Sequence, residues 1–257
     1  MSLWDAFILG IVEGVTEFLP ISSTGHLILI AKLLGCPQTE FLKTFEVAIQ
    51  LGAIAAVIVL YGKALMLNRE ILKRVGAAFI PTAAVGLVFY KLIKHVLLGN
   101  IEVVVWSMFL GGVFLIIFDL VHREGADSVK EIAEISYSKA AWIGIFQSLA
   151  MIPGVSRAAA TIIGGLVLGI QRKTIVEFSF LLAVPTMLAA AGLDLLKSSA
   201  HFSSSAWAAL AAGFLTAFAV AILSIKFLLY FIKNHSFIPF GIYRIVAALA
   251  FWSLVLR

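Results

Sequence analysis

The chain has 257 residues, of which 62% are hydrophobic and 13% charged, and its formal net charge is +5. Soluble globular domains have about 45–50% apolar and about 25% charged residues, so the composition excludes an ordinary soluble domain and predicts a polytopic membrane protein. The basic residues are scattered at the ends of apolar runs, as membrane topology requires, which argues against a nucleic-acid partner. The single cysteine, Cys36, excludes an intramolecular disulfide framework.

The N-terminal part of the chain contains two short apolar runs separated by Pro20. A spanning helix needs about 20 apolar residues, so the runs 3–19 and 24–35 predict a re-entrant pair of half-length helices. The segment 13–26, EGVTEFLPISSTGH, brings seven polar side chains together at this break. Irregular backbone at membrane depth is tolerated only where protein or a water-filled cavity surrounds it, so this segment is the first candidate for a functional site.

Six longer apolar runs further along the chain predict full transmembrane spans. They cover residues 45–61, 76–98, 103–121, 175–196, 206–230 and 237–256. The hydrophilic segment 122–139 predicts a loop with a short surface helix. Two more short runs, 140–152 and 157–170, flank Pro153-Gly154 and predict a second re-entrant pair.

The two halves of the chain resemble each other. GIVEGVTEFLPISS from Gly10 aligns with GIFQSLAMIPGVSR from Gly144 with a one-residue gap, and FEVAIQLGAIAAV from Phe45 aligns with FSFLLAVPTMLAA from Phe178. An odd number of crossings between the copies would invert the second, a known architecture of membrane proteins. Chance similarity between apolar segments is the alternative.

We therefore predict an all-α polytopic membrane protein with two inverted-topology repeats, each a re-entrant broken helix pair plus three transmembrane helices, six spans in all. Residues 1–257 form a single membrane domain, with a first repeat at 1–121, a cytoplasmic loop at 122–139 and a second, inverted repeat at 140–257. With this loop in the cytoplasm, that side carries eleven Lys and Arg residues against six on the other, in the sense of the positive-inside rule. The first broken pair then enters from outside and the second from inside.

The first break carries two carboxylates and a group of hydroxyls. Glu13 and Glu17 are four residues apart and share a helix face. Carboxylates within a bilayer are costly and rarely idle, and a divalent cation such as Mg²⁺, held by them and by a substrate phosphate, fits the pair. A protonated or mutually hydrogen-bonded acid pair is the structural alternative.

The hydroxyl residues Ser22, Ser23 and Thr24 precede an apolar helical run, so they predict a helix N-terminus where free N–H groups favour an anion. Ser23 and His26 lie one turn apart, a spacing that suits a nucleophile and its base. Simple capping by the hydroxyls and a packing role for the histidine are the alternatives.

The second break supplies a cation. Ser156 is placed as an N-cap, Arg157 in the first helical turn and Thr161 one turn further. An intramembrane Arg needs an anion, and its planar fork suits phosphate. A structural ion pair with one of the two glutamates is an alternative that can coexist with function. Arg244, inside the last predicted span, is a second-tier candidate for phosphate contact.

These motifs, EGVTEFLPISSTGH, PGVSRAAAT, EFSFLLAVP and FIPFGIYR, resemble those of the undecaprenyl-pyrophosphate phosphatase (bacitracin-resistance) family of bacteria over essentially the whole chain. One departure is that Ala158 and Ala159 replace the Ser and Gly of the family pattern PG-x-SRSG. The resemblance implies a multi-pass hydrolase of the bacterial inner membrane, open to the periplasmic side, that converts undecaprenyl pyrophosphate to undecaprenyl phosphate for cell-wall synthesis. It also implies a divalent cation, Mg²⁺ first and Ca²⁺ as the alternative; the sequence leaves a homodimer open.

From the resemblance and the residues together, we expect four catalytic side chains, Ser23, His26, Glu17 and Arg157. Phosphate would be bound by Ser22, Thr24, Ser156, Arg157 and Thr161, and the metal by Glu13 and Glu17. Ser23 would attack the terminal phosphorus or orient a water that does, with His26 as general base and then acid. The competing interpretations are a secondary transporter or flippase of an anionic lipid or solute, and a phosphatase of the membrane acid-phosphatase type.

Overall fold

The computed structural model describes residues 1–92, 100–197 and 204–255, and these parts of the chain are helical and contain no β-strand. The α-helices found there are α1 (Leu3–Thr16), α2 (Ser23–Leu33), α3 (Glu40–Leu67), α4 (Arg69–Leu92), α5 (Ile101–Val121), α6 (Tyr137–Ser148), α7 (Arg157–Val167), α8 (Arg172–Lys197), α9 (Ser204–Phe231) and α10 (Ile238–Val255). Short 3-10 helices, Ile132–Glu134 and Leu149–Met151, lie before and after α6. The predicted all-α class is confirmed.

Within the described residues, five helices are long and apolar enough to cross a membrane. Their spanning parts are Glu40–Lys63, Arg69–Phe89, Ile101–Val121, Arg172–Leu193 and Ala206–Phe231. The sixth predicted span corresponds to α10, whose 18 residues rise roughly 27 Å at 1.5 Å per residue, slightly less than the thickness of the hydrocarbon core. The end of the predicted span 76–98 falls outside the described residues. The polytopic membrane class is confirmed at this level.

Each predicted break separates two short helices. Turns at 17–21 divide α1 from α2, and an irregular segment at 152–156 divides the 3-10 helix after α6 from α7. The helices α2 and α7 have 11 residues each, which rise about 16 Å, half the thickness of a bilayer core. Neither helix is long enough to cross the bilayer alone, as the sequence predicted.

The short helices at the two breaks begin 134 residues apart. This offset relates Leu3 to Tyr137 at the starts of α1 and α6, and Ser23 to Arg157 at the starts of α2 and α7. Helix packing matches between the two halves. In the first half α1 packs along α9 of the second half, and in the second half α6 packs along α4 of the first, while α5 packs along α10.

The first break is anchored to the core by an aromatic side chain. Phe18 is fully buried and packs edge-to-face on Phe180 of α8, with ring centroids 5.4 Å apart. Both rings belong to the largest cluster of buried apolar side chains, to which α7 also contributes. This cluster fixes the first break relative to α7 and α8, the helices that carry the second half of the site.

Candidate active site

A cavity of about 160 Å³ lies between the two breaks. Its lining residues are Glu17, Ser22, Ser23, Thr24, Gln50, Ala150, Gly154, Ser156, Arg157 and Met187. A buried water needs about 10–15 Å³ of such space, so the cavity has room for a small polar group with some water but not for a lipid tail. The structure thus brings the polar residues of both breaks together around one space.

Glu17 connects the two breaks directly. The Arg157 Nη2 donates to Glu17 Oε1 at 3.0 Å, and the Ser23 hydroxyl donates to Glu17 Oε2 at 2.6 Å. Both members of the ion pair are largely buried, with 14% of the Arg157 side chain and 6% of the Glu17 side chain exposed. This ion pair is the structural alternative that the sequence left open for Arg157 beside phosphate binding.

Arg157 is held from several sides. Its Nη1 donates to the Ser179 carbonyl oxygen at 2.8 Å and lies 3.3 Å from the Ser179 hydroxyl. The guanidinium carbon also lies 5.7 Å from the centre of the Phe18 ring. Its buried Nε has no hydrogen-bond partner in the described parts of the chain. The guanidinium is therefore fixed in orientation, and Arg157 is one of the residues that line the cavity.

Both breaks end on a serine with a left-handed backbone. Ser22 has φ 74° and Ser156 has φ 71°, immediately before α2 and α7. Such conformations cost a non-glycine residue about 1–3 kcal/mol and cluster at functional sites. As predicted, Ser156 caps α7: its hydroxyl accepts from the Ala159 N–H at 3.3 Å. The Ser22 side chain makes no capping bond to α2.

His26 has both ring nitrogens occupied. Nδ1 lies 2.7 Å from the Ser22 carbonyl oxygen, and Nε2 lies 2.8 Å from the hydroxyl of Tyr243, whose ring stacks on the imidazole. A carbonyl only accepts, so Nδ1 carries the proton and Nε2 of a neutral imidazole accepts from the tyrosine. The single proton of the Ser23 hydroxyl goes to Glu17. The predicted Ser23–His26 pair is therefore not formed, because each group has another partner.

Glu13 is fully buried, and neither of its carboxylate oxygens has a hydrogen-bond partner among the described residues. Its electrostatic neighbours are Glu17 and Glu46 on the acidic side and Arg157 on the basic side. Among the described residues, no group of three or more His, Cys, Asp or Glu side chains is placed to hold a metal ion. Carboxylate oxygens without a partner are the type of ligand that a divalent cation such as Mg²⁺ takes in proteins.

Two of the predicted phosphate-binding residues lie outside the cavity. Thr161 is fully buried within α7, where its hydroxyl lies 2.9 Å from the Arg157 carbonyl oxygen and 3.3 Å from Gln147 Oε1. Arg244 is also fully buried and directs its guanidinium to backbone carbonyl oxygens. Neither residue contributes to the cavity wall, so these two assignments are corrected.

Sequence reasoning missed four residues around the site. Gln50 and Met187 line the cavity, Ser179 holds Arg157, and Tyr243 holds His26. Three of them carried a signal: Gln50 is a polar residue in an apolar span, Tyr243 precedes Arg244 in FIPFGIYR, and Ser179 belongs to EFSFLLAVP. Met187 is an ordinary residue of an apolar helix and gave none.

The fold and the cavity define a polytopic membrane protein with a buried polar site between two broken helices. The chain belongs to the family described as bacitracin resistance protein BacA, whose model matches residues 6–250. It is 54% identical over 252 residues to the undecaprenyl-diphosphatase of Sulfurihydrogenibium sp. strain YO3AOP1, covering 98% of this chain and 99% of the relative. It is also 51% identical to the undecaprenyl-diphosphatase of Aquifex aeolicus over the full length of both chains, and 48% identical to that of Thermus thermophilus over 100% of this chain and 99% of the relative.

Proposed function

We propose that this chain hydrolyses undecaprenyl pyrophosphate to undecaprenyl phosphate and inorganic phosphate. Relatives that carry the name undecaprenyl-diphosphatase match it from end to end. The observation that carries the proposal within the molecule is the contact sequence Ser23–Glu17–Arg157, which places a hydroxyl, a carboxylate and a guanidinium around one cavity. Phosphoryl transfer needs a nucleophilic hydroxyl next to a base, and it needs a cation that binds the phosphate.

We assign substrate binding to the residues that line the cavity. The isoprenoid tail stays among the membrane-spanning helices, and the pyrophosphate enters the cavity. Arg157 binds the terminal phosphate through its guanidinium, with Ser22, Thr24 and Ser156 as hydroxyl partners. The N-termini of α2 and α7 add free N–H groups and the positive ends of two helix dipoles. These groups stabilise charge on the phosphoryl oxygens as it develops in the transition state.

Ser23 is assigned the attack on the terminal phosphorus. Its hydroxyl proton passes to Glu17 Oε2, an Oγ–P bond forms, and the bond from phosphorus to the bridging oxygen breaks, so that undecaprenyl phosphate leaves. Water then cleaves the phosphoserine and regenerates the hydroxyl. In the alternative, Ser23 orients a water that attacks directly. In both versions Glu17 is the first base, because its carboxylate already accepts the Ser23 proton.

His26 is assigned a positioning role in this conformation. Its Nδ1–H donates to the Ser22 carbonyl oxygen and thereby supports the strained backbone at the end of the first break. The expected base and acid role of His26 would require the ring to leave Ser22 and Tyr243. That role is kept as the competing assignment, and the two histidine substitutions described below distinguish them.

A divalent cation, Mg²⁺ or Ca²⁺, is proposed at Glu13 and Glu17. Glu13 supplies two buried oxygens without a partner in the described chain, and Glu17 faces the cavity. When bound, the cation would neutralise negative charge on the pyrophosphate oxygens. The two glutamates would hold it, and the phosphate would complete its ligands.

The architecture proposed for the chain is a pair of inverted repeats with six spans and two re-entrant pairs. The 134-residue offset between the short helices at the two breaks and the matching helix contacts support this arrangement. With the cytoplasmic loop at 122–139, the site opens to the outer side of the bacterial inner membrane, where released undecaprenyl phosphate re-enters cell-wall synthesis. Consumption of the pyrophosphate lipid would also account for the family description of bacitracin resistance.

The deciding experiment is a phosphate-release assay on undecaprenyl pyrophosphate with detergent-solubilised protein, with and without EDTA. The wild type should release phosphate, EDTA should suppress the release, and Glu17→Gln should abolish most of it. A transporter or flippase would release none. Phosphate release by Glu17→Gln at the wild-type rate would contradict the site assignment without contradicting the overall reaction.

A further inference from the structure

Arg244 of α10 is fully buried, and it uses every donor that its guanidinium has. Its acceptors are five backbone carbonyl oxygens: Nε donates to Met108 at 3.2 Å, Nη1 to Pro20 at 3.3 Å and Val155 at 3.1 Å, and Nη2 to Ser107 at 3.1 Å and Gly154 at 2.9 Å. A guanidinium has five N–H groups, so none remains for a phosphate. All the N–H groups of the guanidinium therefore donate to backbone carbonyl oxygens.

The acceptors of Arg244 come from three separate parts of the chain. Pro20 belongs to the first break, Gly154 and Val155 belong to the second, and the remaining carbonyls belong to α5. Carbonyl dipoles stand in for the counter-ion that a buried cation otherwise requires. A buried charge that is solvated by both breaks at once resists their separation, because moving either break would leave donors unpaired.

We propose that Arg244 is a positioning residue that sets the two breaks in register, so that Ser23 and Arg157 meet at the same phosphate. The proposal rests on the proposed function, and it deepens that function by adding a residue that does not touch the substrate. Arg244 acts through the backbone of the breaks, which carry the groups that do.

The second break shows how this would work. In a trans peptide the C=O and N–H point in opposite directions. The Val155 carbonyl points at Arg244, so the N–H of the next residue, Ser156, points away from it. Ser156 lines the cavity and has a left-handed backbone. Arg244 therefore favours the peptide orientation that leaves the Ser156 N–H available as a donor to a phosphate oxygen.

The space for the guanidinium is built into the helix that faces α10. A Cβ on Gly111 would overlap Arg244 Nη2, and a Cβ on Gly112 would lie 2.7 Å from the Gly241 carbonyl oxygen. These glycines let α5 and α10 approach closely and leave room for the side chain between them. Gly111→Ala should consequently displace the guanidinium while it keeps the charge and every group that lines the cavity.

The test uses Arg244→Lys, which retains the charge but has at most three donors in a different geometry, and Gly111→Ala. Gly76→Ala in α4 is the matched control, because a Cβ there meets nothing within 4 Å. Misplacement of reacting groups by about 1 Å costs about 100-fold in rate, and both test variants should lose kcat on that scale. KM should change much less, inhibition by orthovanadate should weaken in parallel with kcat, and Gly76→Ala should match the wild type.

Melting temperature in detergent and kcat per folded molecule separate positioning from general stability. A lower melting temperature with unchanged kcat and unchanged vanadate inhibition would overturn the proposal, as would full activity in both test variants. If Arg244→Lys does not fold, Gly111→Ala decides. If Ser23→Ala and Arg157→Lys also retain full activity, the proposed site itself is wrong. If those two variants are impaired but the Arg244 and Gly111 variants are not, the site stands and only the positioning role of Arg244 is wrong.

Discussion

The Ser23 hydroxyl donates to the Glu17 carboxylate at 2.6 Å, the short distance expected when the acceptor carries charge. The other oxygen of Glu17 accepts from Arg157, so the carboxylate is fixed in the orientation that receives the proton. The hydroxyl and the guanidinium come from positions related by the 134-residue offset. One carboxylate of the first break therefore organises both half-sites.

Glu17→Gln should be among the most damaging isosteric changes in the site. The amide keeps the shape but cannot take the Ser23 proton, and it loses the charge that pairs with Arg157. General-base catalysis contributes about 10²–10⁴-fold, and kcat for phosphate release should fall by that amount. Glu40→Gln is the control, because the Glu40 side chain pairs with Lys43 on the exposed surface. A Glu17→Gln variant as active as Glu40→Gln would exclude the base assignment.

Ser23→Ala distinguishes covalent catalysis from direct attack by water. If Ser23 is the nucleophile, the variant should lose nearly all activity, and acid quenching of the wild type during turnover should trap phosphoserine at this position. If Ser23 only orients a water, the variant should retain measurable turnover and no phosphoserine should form. Mass spectrometry of the quenched protein, together with phosphate release, separates these outcomes.

Arg157→Lys should impair turnover although it preserves the charge. A lysine cannot contact Glu17 and Ser179 and still present a donor to phosphate, because it lacks the planar fork. Removal of one preorganised donor to a developing oxyanion costs about 10²–10³-fold in kcat. Arg123→Lys, in the exposed loop after α5, is the control and should be silent. Equal phosphate release by the two variants would contradict the phosphate-binding role of Arg157.

Glu13→Gln tests the proposed metal site. The substitution replaces the carboxylate of Glu13, whose two buried oxygens have no partner in the described chain, with a neutral amide. We expect the Mg²⁺ concentration for half-maximal phosphate release to rise at least about tenfold, since metal sites depend on ligand charge and number. Titration of Mg²⁺ and of Ca²⁺ after EDTA treatment measures this shift. An unchanged metal requirement would assign Glu13 to a structural acid pair.

Two substitutions of His26 separate positioning from proton transfer. An asparagine amide can take the place of Nδ1–H and donate to the Ser22 carbonyl, whereas a glutamine amide reaches towards the place of Nε2 beside Tyr243. The positioning role predicts that His26→Asn retains more activity than His26→Gln. A base role at Nε2 predicts that both variants lose activity equally. Tyr243→Phe, measured in the same assay, reports how much the hydroxyl contributes to holding the ring.

The parts of the fold that local chemistry determines were predictable from the sequence. Pro20 and Pro153-Gly154 interrupt runs that are too short to span, and both breaks occur there. The capping role of Ser156 followed from a hydroxyl before an apolar helical run. The cost of isolated charge in an apolar chain predicted an anionic partner for Arg157 and left a glutamate of the first break as one alternative, which the structure shows.

Contacts that depend on tertiary placement were not predictable in this way. The spacing of Ser23 and His26 allowed a direct pair, but the break turns the hydroxyl to Glu17 and the imidazole to Tyr243, which is 217 residues away in sequence. Arg244 looked like a phosphate ligand because an intramembrane cation normally needs an anion. Its carbonyl partners come from both breaks and from α5, and nothing in the sequence around Arg244 indicates these contacts.

Gly144→Ala should destabilise the protein, because α6 and α4 approach most closely at this residue. A Cβ on Gly144 would overlap the Ala78 carbonyl group, which is backbone and cannot move aside without displacing α4. Overpacking of this kind costs about 1–3 kcal/mol, so the melting temperature in detergent should fall. Gly62→Ala in α3, where a Cβ meets nothing within 4 Å, is the matched control and should be neutral or slightly stabilising, since alanine favours a helix over glycine.

A melting temperature of Gly144→Ala equal to that of the control would mean that α6 tilts freely. The second break, which begins at the end of α6, would then owe its position to the Arg244 and Arg157 contacts rather than to helix packing.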